Sequence, residues 1–334
     1  MECVCFGLFR IKAFIMITLF STLKPVRGHF GIIQTNALQS WLHLHPACEI
    51  VLFGNEEGTG EISSRLGARH IPRVACNKWG TPLISSLFEE AQKVANNQIL
   101  CYVNADIILM SDFLDAVQRV RKRAFLIVGR RWNLKVDELV NFDDPNWEHG
   151  LRDDVAIHGV LEKPDGLDYF VFPKGIFSDI PSFAVGRPGW DNWMIYRARY
   201  LGIPVIDVTP SMPAIHQIHD YSHHPQGKEG VWKGPEAEAN LQLLGGARYA
   251  FTLWDATSRL YPNGLRLALT RTHLERRLET LAVLYPKRIL RNMSLKILIS
   301  GLLNLYDLFV RHRVSRAALA IARKLLAFVT TKIK

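Results

Sequence analysis

Apolar and polar positions alternate in blocks along most of this chain. Predominantly apolar runs occur over residues 14–20, 49–53, 99–103, 124–128, 168–172 and 204–208, rich in β-branched and aromatic residues. Runs of this length suit strands covered on both faces. Between them the apolar positions take helical spacing. Ile32, Ile33, Ala37, Leu38, Trp41 and Leu42 predict a helix over 31–44, ended by Pro46. Ile84, Leu87, Phe88, Ala91, Val94 and Ala95 give one clear face of a second helix. Phe113, Leu114, Val117 and Val120 give a third, starting at Ser111. Trp193, Met194, Ala198 and Leu201 give a fourth, from Asp191 to the stop at Gly202 and Pro204. A short helix over 61–66 and a short strand over 69–71 complete the first half.

Strands alternating with helices, each strand leaving through a polar loop, predict an α/β fold. Its sheet is doubly wound and mainly parallel. Right-handed crossovers bring the polar exits to one edge, where open sheets bind ligands. The pattern divides the chain into an extension at 1–13, a main body at 14–246 and a basic helical tail at 247–334. Within the body, 14–132 reads as one half and 133–246 as another, with a polar, Asp- and Asn-rich insertion over 133–167.

Charge changes the picture only in the tail. From Pro286 onward eleven Lys and Arg face one acid, Asp307, so this segment carries the chain's entire net charge of +10. The neutral body has no nucleic-acid-binding signature. Residues 267–284 predict a helix, and 287–334 two amphipathic basic helices interrupted by Lys296 and Asp307. Such helices either lie on an anionic membrane surface or dock on the main body. The five cysteines show no metal or disulfide spacing, and Cys101 falls in a core strand, which suggests a reducing, cytoplasmic setting. The apolar stretch over 3–20 is broken by Arg10 and Lys12. It lacks a cleavage pattern and is too short to span a membrane.

The candidate chemistry centres on Asn104-Ala105-Asp106, between the runs 99–103 and 107–110. A carboxylate at the carboxyl end of a central strand can hold a hard cation that bridges phosphate oxygens; the plainer alternative is a solvated turn. The late cluster His216, His219, His223, His224 offers imidazoles suited to Mn²⁺, or else a solvated loop. Asp191 follows Gly189-Trp190 at a helix start, where it is a carboxylate base or a plain cap. Arg130 and Arg131, at a strand exit, can grip phosphate bidentately or form ion pairs. Trp190 can stack on a sugar or base, whereas Trp193 reads as core. Asn55 and Glu56, leaving the second strand, either read ribose or base or form an exposed turn.

Taken in order, four features resemble a GT-A-fold glycosyltransferase of the family 2 type. They are the strand ending in Ser21-Thr22 with the 49–53 strand after it; Gly80-Thr81-Pro82-Leu83 before Tyr102-Val-Asn-Ala-Asp106; Gly189-Trp-Asp-Asn-Trp193; and a late His216 or His219. The resemblance covers roughly residues 14–246. It implies a nucleoside-diphosphate sugar as donor, UDP-sugar first, a carbohydrate or lipid-linked acceptor, and Mn²⁺ or Mg²⁺ as cofactor. It assigns Asp106 with His216 and His219 to the metal. Thr22, Asn55, Glu56, Gly80, Thr81, Asn104, Arg130, Arg131 and Trp190 fall to the donor. Asp191 becomes the base of an inverting transfer. Where the family carries a first Asp, this chain has Asn104, which lowers the charge at the site. Two other readings stand beside this one: a nucleotide-sugar-binding scaffold without turnover, and a sugar-phosphate nucleotidyltransferase. The latter would want a glycine-rich loop after the first strand, and the loop 21–28 has only Gly28.

Overall fold

The computed structural model describes residues 16–222, 225–286 and 301. The extension at 1–13, the start of the first strand, His223-His224 and the two amphipathic helices expected over 287–334 lie outside the described residues.

The first half runs β1 (Ile17–Thr22), α1 (Gly28–Leu44), β2 (Glu49–Phe53), α2 (Thr59–Leu66), β3 (Arg69–Ile71), α3 (Ile84–Val94), β4 (Ile99–Val103), β5 (Ile107–Ile108), α4 (Asp112–Gln118) and β6 (Leu126–Val128). There follow β7 (Arg131–Leu134), α5 (Trp147–His158), β8 (Val160–Leu161), β9 (Tyr169–Pro173), α6 (Trp190–Tyr200), β10 (Val205–Asp207) and β11 (Ala214–Gln217). The chain closes with α7 (Gly227–Lys233), α8 (Pro235–Leu244), β12 (Ser258–Tyr261), β13 (Gly264–Leu267) and α9 (Arg271–Leu284).

Among the described residues these strands make two sheets. The larger has nine strands in the order β13-β12-β10-β6-β9-β4-β1-β2-β3. β9 runs antiparallel to β4 and β6, and β13 antiparallel to β12; the other pairings are parallel. The fold is therefore the expected α/β type with a mainly parallel sheet. Helices cover both faces. Leu100 and Tyr102 of β4 join Phe88 of α3 and Met194 of α6, while Cys101 and Val103 join Leu38 and Trp41 of α1 and Phe113 of α4. This period of two is why β4 reads as an unbroken apolar run: neither of its faces sees water.

The smaller sheet, β5-β11-β7-β8, was not legible as a sheet. The expected loop after β6 becomes β7 at Arg131. The histidine segment begins as β11, and the insertion contributes α5 and β8. Nor does the large sheet stop at residue 246. The β12–β13 hairpin extends it beside β10 within the segment expected to be helical tail. Helix α9 falls inside the predicted 267–284 stretch. No helix among the described residues is long and apolar enough to cross a membrane.

Candidate active site

β4 delivers the Asn104–Asp106 turn to the carboxyl edge of the large sheet, and β5 carries the chain into the small one. Helix α1 grips this crossing. Trp41, fully buried, donates from its indole N–H to the Ile107 carbonyl at 2.9 Å, and the Ser40 hydroxyl accepts from the Leu109 N–H at 3.1 Å. β11 pairs antiparallel with β5, His216 opposite Ile107. That register sets Asp106 beside β11. The buried Gln217 secures it: its backbone and side-chain N–H groups donate to the Asp106 carbonyl at 3.1 and 3.2 Å.

Asp106, His216 and His219 thus converge, with one ligand atom from each lying within 4.8 Å of the others. His219 Nε2 is 3.2 Å and His216 Nε2 3.9 Å from the same oxygen, Asp106 Oδ2. The other carboxylate oxygen, Oδ1, is buried and has no hydrogen-bond partner. His219 Nδ1 lies 2.6 Å from the Asp220 carbonyl, an acceptor, so this nitrogen carries the proton. The close approach of Nε2 to a carboxylate oxygen then needs either a second proton on the ring or a cation between them. Burial opposes the Asp106 charge, but the two imidazoles and Lys24 hold its carboxyl well below the usual range. Burial, aided by Arg131, lowers the His216 pKa against the pull of Asp106. One carboxylate and two imidazoles, with an orphaned buried oxygen among them, form a donor set that suits Mn²⁺ better than Mg²⁺.

A cavity of about 120 Å³ opens beside Asp106, lined by Thr22, Lys24, Asn104 and Gly186 among others. The buried Thr22 Oγ1 has no partner there. Lys24 was not singled out in the sequence. It follows β1, its ammonium lies 4.5 Å from the centre of the Phe30 ring, and burial lowers its pKa despite the attraction of Asp106. A half-buried cation at the rim of this cavity is a natural partner for phosphate.

Other predicted residues are placed differently. Asn104 lines the cavity, yet its side chain is committed. Its amide donates to Asp168 Oδ1 at 2.6 Å, and its oxygen accepts from the Tyr102 hydroxyl at 3.0 Å. An Asp at 104 would set two carboxylates in contact, so Asp168 accounts for the asparagine. Arg131 does not face the cavity as a phosphate clamp: it bonds Asp168 and, at 3.4 Å, Glu162. Arg130 is held by the backbone carbonyls of Leu161 and Glu162. Trp190 is not a stacking platform. It is buried, 4 % exposed, with Tyr102 and Phe170 at ring distances of 5.2 and 5.0 Å; Trp193 is buried as expected. Asn55 and Glu56 are exposed and lie outside the cavity lining. Gly80, at φ 85°, and Thr81 form a turn moored to α8. Glu236 there accepts from Asn77 at 2.7 Å and from Arg187 and Thr81, bonds that keep it ionised against burial.

Asp191 sits in the first turn of α6, behind Gly189, whose φ of 99° is a conformation that favours glycine. It does not line the 120 Å³ cavity. Burial pushes its carboxyl up to about 7, and the charge of Asp168 adds to the rise, against backbone N–H donors including that of Leu167. Asp168 bonds Asn104 at the cavity, and its charge also raises the Asp191 carboxyl. Nothing in the sequence marked it beyond its place at the start of a strand.

No protein-family model and no curated protein sequence matches the chain. Among solved structures, it is similar to glucosyl-3-phosphoglycerate synthase from Mycobacterium tuberculosis. The complex of that enzyme with Mn²⁺, uridine diphosphate and phosphoglyceric acid is 13% identical, covering 69% of this chain and 77% of that one at a TM-score of 0.43. Its complex with Mg²⁺ and uridine diphosphate is likewise 13% identical, covering 70% and 80%, again at 0.43. A structure described as a mycobacterial protein is 12% identical over 61% of this chain and 66% of that one, at 0.37. The ions, nucleotide and acceptor in those complexes belong to those proteins.

Proposed function

We propose that this chain is a metal-assisted glycosyltransferase that takes its sugar from a nucleoside diphosphate. Asp106, His216 and His219 hold Mn²⁺, or Mg²⁺ less well. The bound cation supplies charge neutralisation for the departing diphosphate. Lys24 adds a second positive charge at the same rim, and the Thr22 hydroxyl, lacking a partner, meets a donor oxygen. Asp191 takes the proton of the acceptor hydroxyl. A carboxyl whose pKa is near 7 is tuned for that task. A base of this kind, with no second nucleophile in the assignment, gives single displacement with inversion.

The observation that carries the reading is the approach of two imidazole Nε2 atoms to one oxygen of Asp106, beside a cavity that also exposes Lys24. Asn104 does not argue for an inert scaffold, because its amide answers Asp168 rather than replacing a lost ligand. The test is calorimetric titration with Mn²⁺, followed by donor hydrolysis across UDP- and GDP-sugars. Wild-type protein is expected to bind Mn²⁺ and release free sugar in its presence. Asp106→Asn and His216→Ala are expected to lose both. Equal Mn²⁺ binding in the variants would overturn the assignment. Retention at the anomeric carbon, read by NMR of the product, would overturn the single displacement.

The acceptor is a hydroxyl of a carbohydrate or lipid-linked molecule. The basic 287–334 segment supplies contact with an anionic membrane surface. Liposome co-sedimentation of the full chain and a 1–285 truncation tests that contact, and equal binding refutes it.

A further inference from the structure

Asn133 lies opposite His216 in the parallel β7–β11 register. Cross-strand neighbours of this kind share a face, and Asn133 Oδ1 is 2.9 Å from His216 Nδ1. Either nitrogen of a neutral imidazole can carry the proton, so the contact alone leaves the tautomer open. The surroundings of Asn133 close it. Its Nδ2 is 2.9 Å from Glu162 Oε2, and an ionised carboxylate only accepts. Its Oδ1 is 3.1 Å from Arg131 Nε, and a guanidinium only donates. Flipping the amide would set N–H against N–H at one end and oxygen against oxygen at the other. The amide therefore has one orientation, and Oδ1 can only accept. His216 Nδ1 must then be the N–H, leaving the Nε2 lone pair on the side of Asp106.

We infer that Asn133 is a positioning residue that holds His216 in the Nδ1–H tautomer, with Nε2 presented as a ligand toward Asp106. The inference rests on the metal reading above for its purpose, though not for its geometry. Arg131 and Glu162 act through Asn133. Arg131 is in turn bonded to Asp168, which binds Asn104. A continuous polar chain thus runs from the Asn104–Asp106 turn round to the histidine that faces it. Outer partners of this type orient a ligand and strengthen it as a donor.

The experiment is ¹⁵N NMR of histidine-labelled protein without metal at pH 8, with the His216 signal assigned by its loss in His216→Gln. Wild type is expected to show a protonated Nδ1 and an unprotonated Nε2 at His216. Asn133→Leu is expected to lose that preference and to weaken Mn²⁺ binding by about 10- to 100-fold. Asn133→Asp combined with Glu162→Gln, which keeps an acceptor facing the ring and gives the second oxygen a donor, is expected to restore the tautomer. A wild-type His216 protonated on Nε2 overturns the inference. So does an Asn133→Leu protein that keeps both the tautomer and the Mn²⁺ affinity. If Asn133→Leu does not fold, the wild-type spectrum and that of the Asn133→Asp/Glu162→Gln pair still decide. A wild type that binds no Mn²⁺ yet shows the Nδ1–H signal overturns the metal assignment and upholds the role of Asn133.

Discussion

In the large sheet, β4 places Leu100 and Tyr102 on one face and Cys101 and Val103 on the other, and all four are buried. In the small sheet, β7 carries Arg131 and Asn133 at alternate positions and β11 carries His216 and Gln217 in succession, and their polar atoms bond to neighbouring chain segments. The first region is held by apolar area and aromatic contact: Phe88 stacks on Tyr102 and Phe172 at ring distances of 5.6 and 5.3 Å. The second has a small apolar face, Ile108, Leu134 and Ile215 against Leu151 and Val155 of α5, but toward Asp106 it is held by directional bonds among few partners. The large sheet tolerates any apolar set of the right volume. The small one requires particular atoms at particular places. Stability should therefore reside in one and chemistry in the other, and variants can pull the two apart.

The largest separation is expected at Asp191. Asp191→Asn should lower kcat/KM for transfer by about 10²- to 10⁴-fold, the scale of a lost general base, with circular dichroism unchanged. In wild type the pH profile should rise through an apparent pKa of about 7, and Asp191→Asn should lose that limb. Stability gives the sign independently. The folded carboxyl titrates near 7 rather than at its ordinary 3.8, so the native state holds the proton more tightly. Its contribution is full below about pH 4, falls between there and about pH 7, and is gone above. Denaturation midpoints of the variant should lack that decline.

Next in size is Phe172→Ala in the other region, a fully buried ring one step further from the site. It should cost about 3–5 kcal/mol in denaturant unfolding, while Mn²⁺ affinity measured well below the transition stays within about twofold, the independence expected of sites without shared partners. A large loss of Mn²⁺ binding would show that the two regions are not separable. The smallest effect is at Lys24. Lys24→Met should weaken binding of a nucleoside diphosphate about tenfold, near the low end for one charge-assisted hydrogen bond. It should leave Mn²⁺ binding without nucleotide unchanged or tighter, since a neighbouring positive charge is gone; Lys24→Arg should restore much of the nucleotide affinity.

The same contrast explains what the sequence disclosed. β1, β2, β4 and β9 read correctly because both of their faces are dry, and α1, α3 and α6 because each has one apolar face. Asp106, His216 and His219 were singled out by residue type and order, and the fold brings their ligand atoms within 4.8 Å of one another. Asp168, Asn133, Glu162 and Lys24 were passed over. Each gets its role from a partner far along the chain, and no periodicity records that. β7, β8 and β11 are short and half polar, so nothing in their pattern distinguishes them from loop. Trp190 was misplaced because an aromatic residue beside a glycine turn reads alike whether its ring faces a cleft or the interior. Arg130 and Arg131 were misread because carbonyl and carboxylate partners compete with phosphate for the same donors.

The grip between Asp106 and His219 spans 113 positions of chain. Closing so long a loop brings no reward until its ends meet. A ribosome can therefore have delivered β1 through β10 while the trio of Asp106, His216 and His219 is still without two of its members. The trio forms in a late, single docking event when β11 slots between β5 and β7, so whatever chemistry depends on it waits until residue 219 has been made.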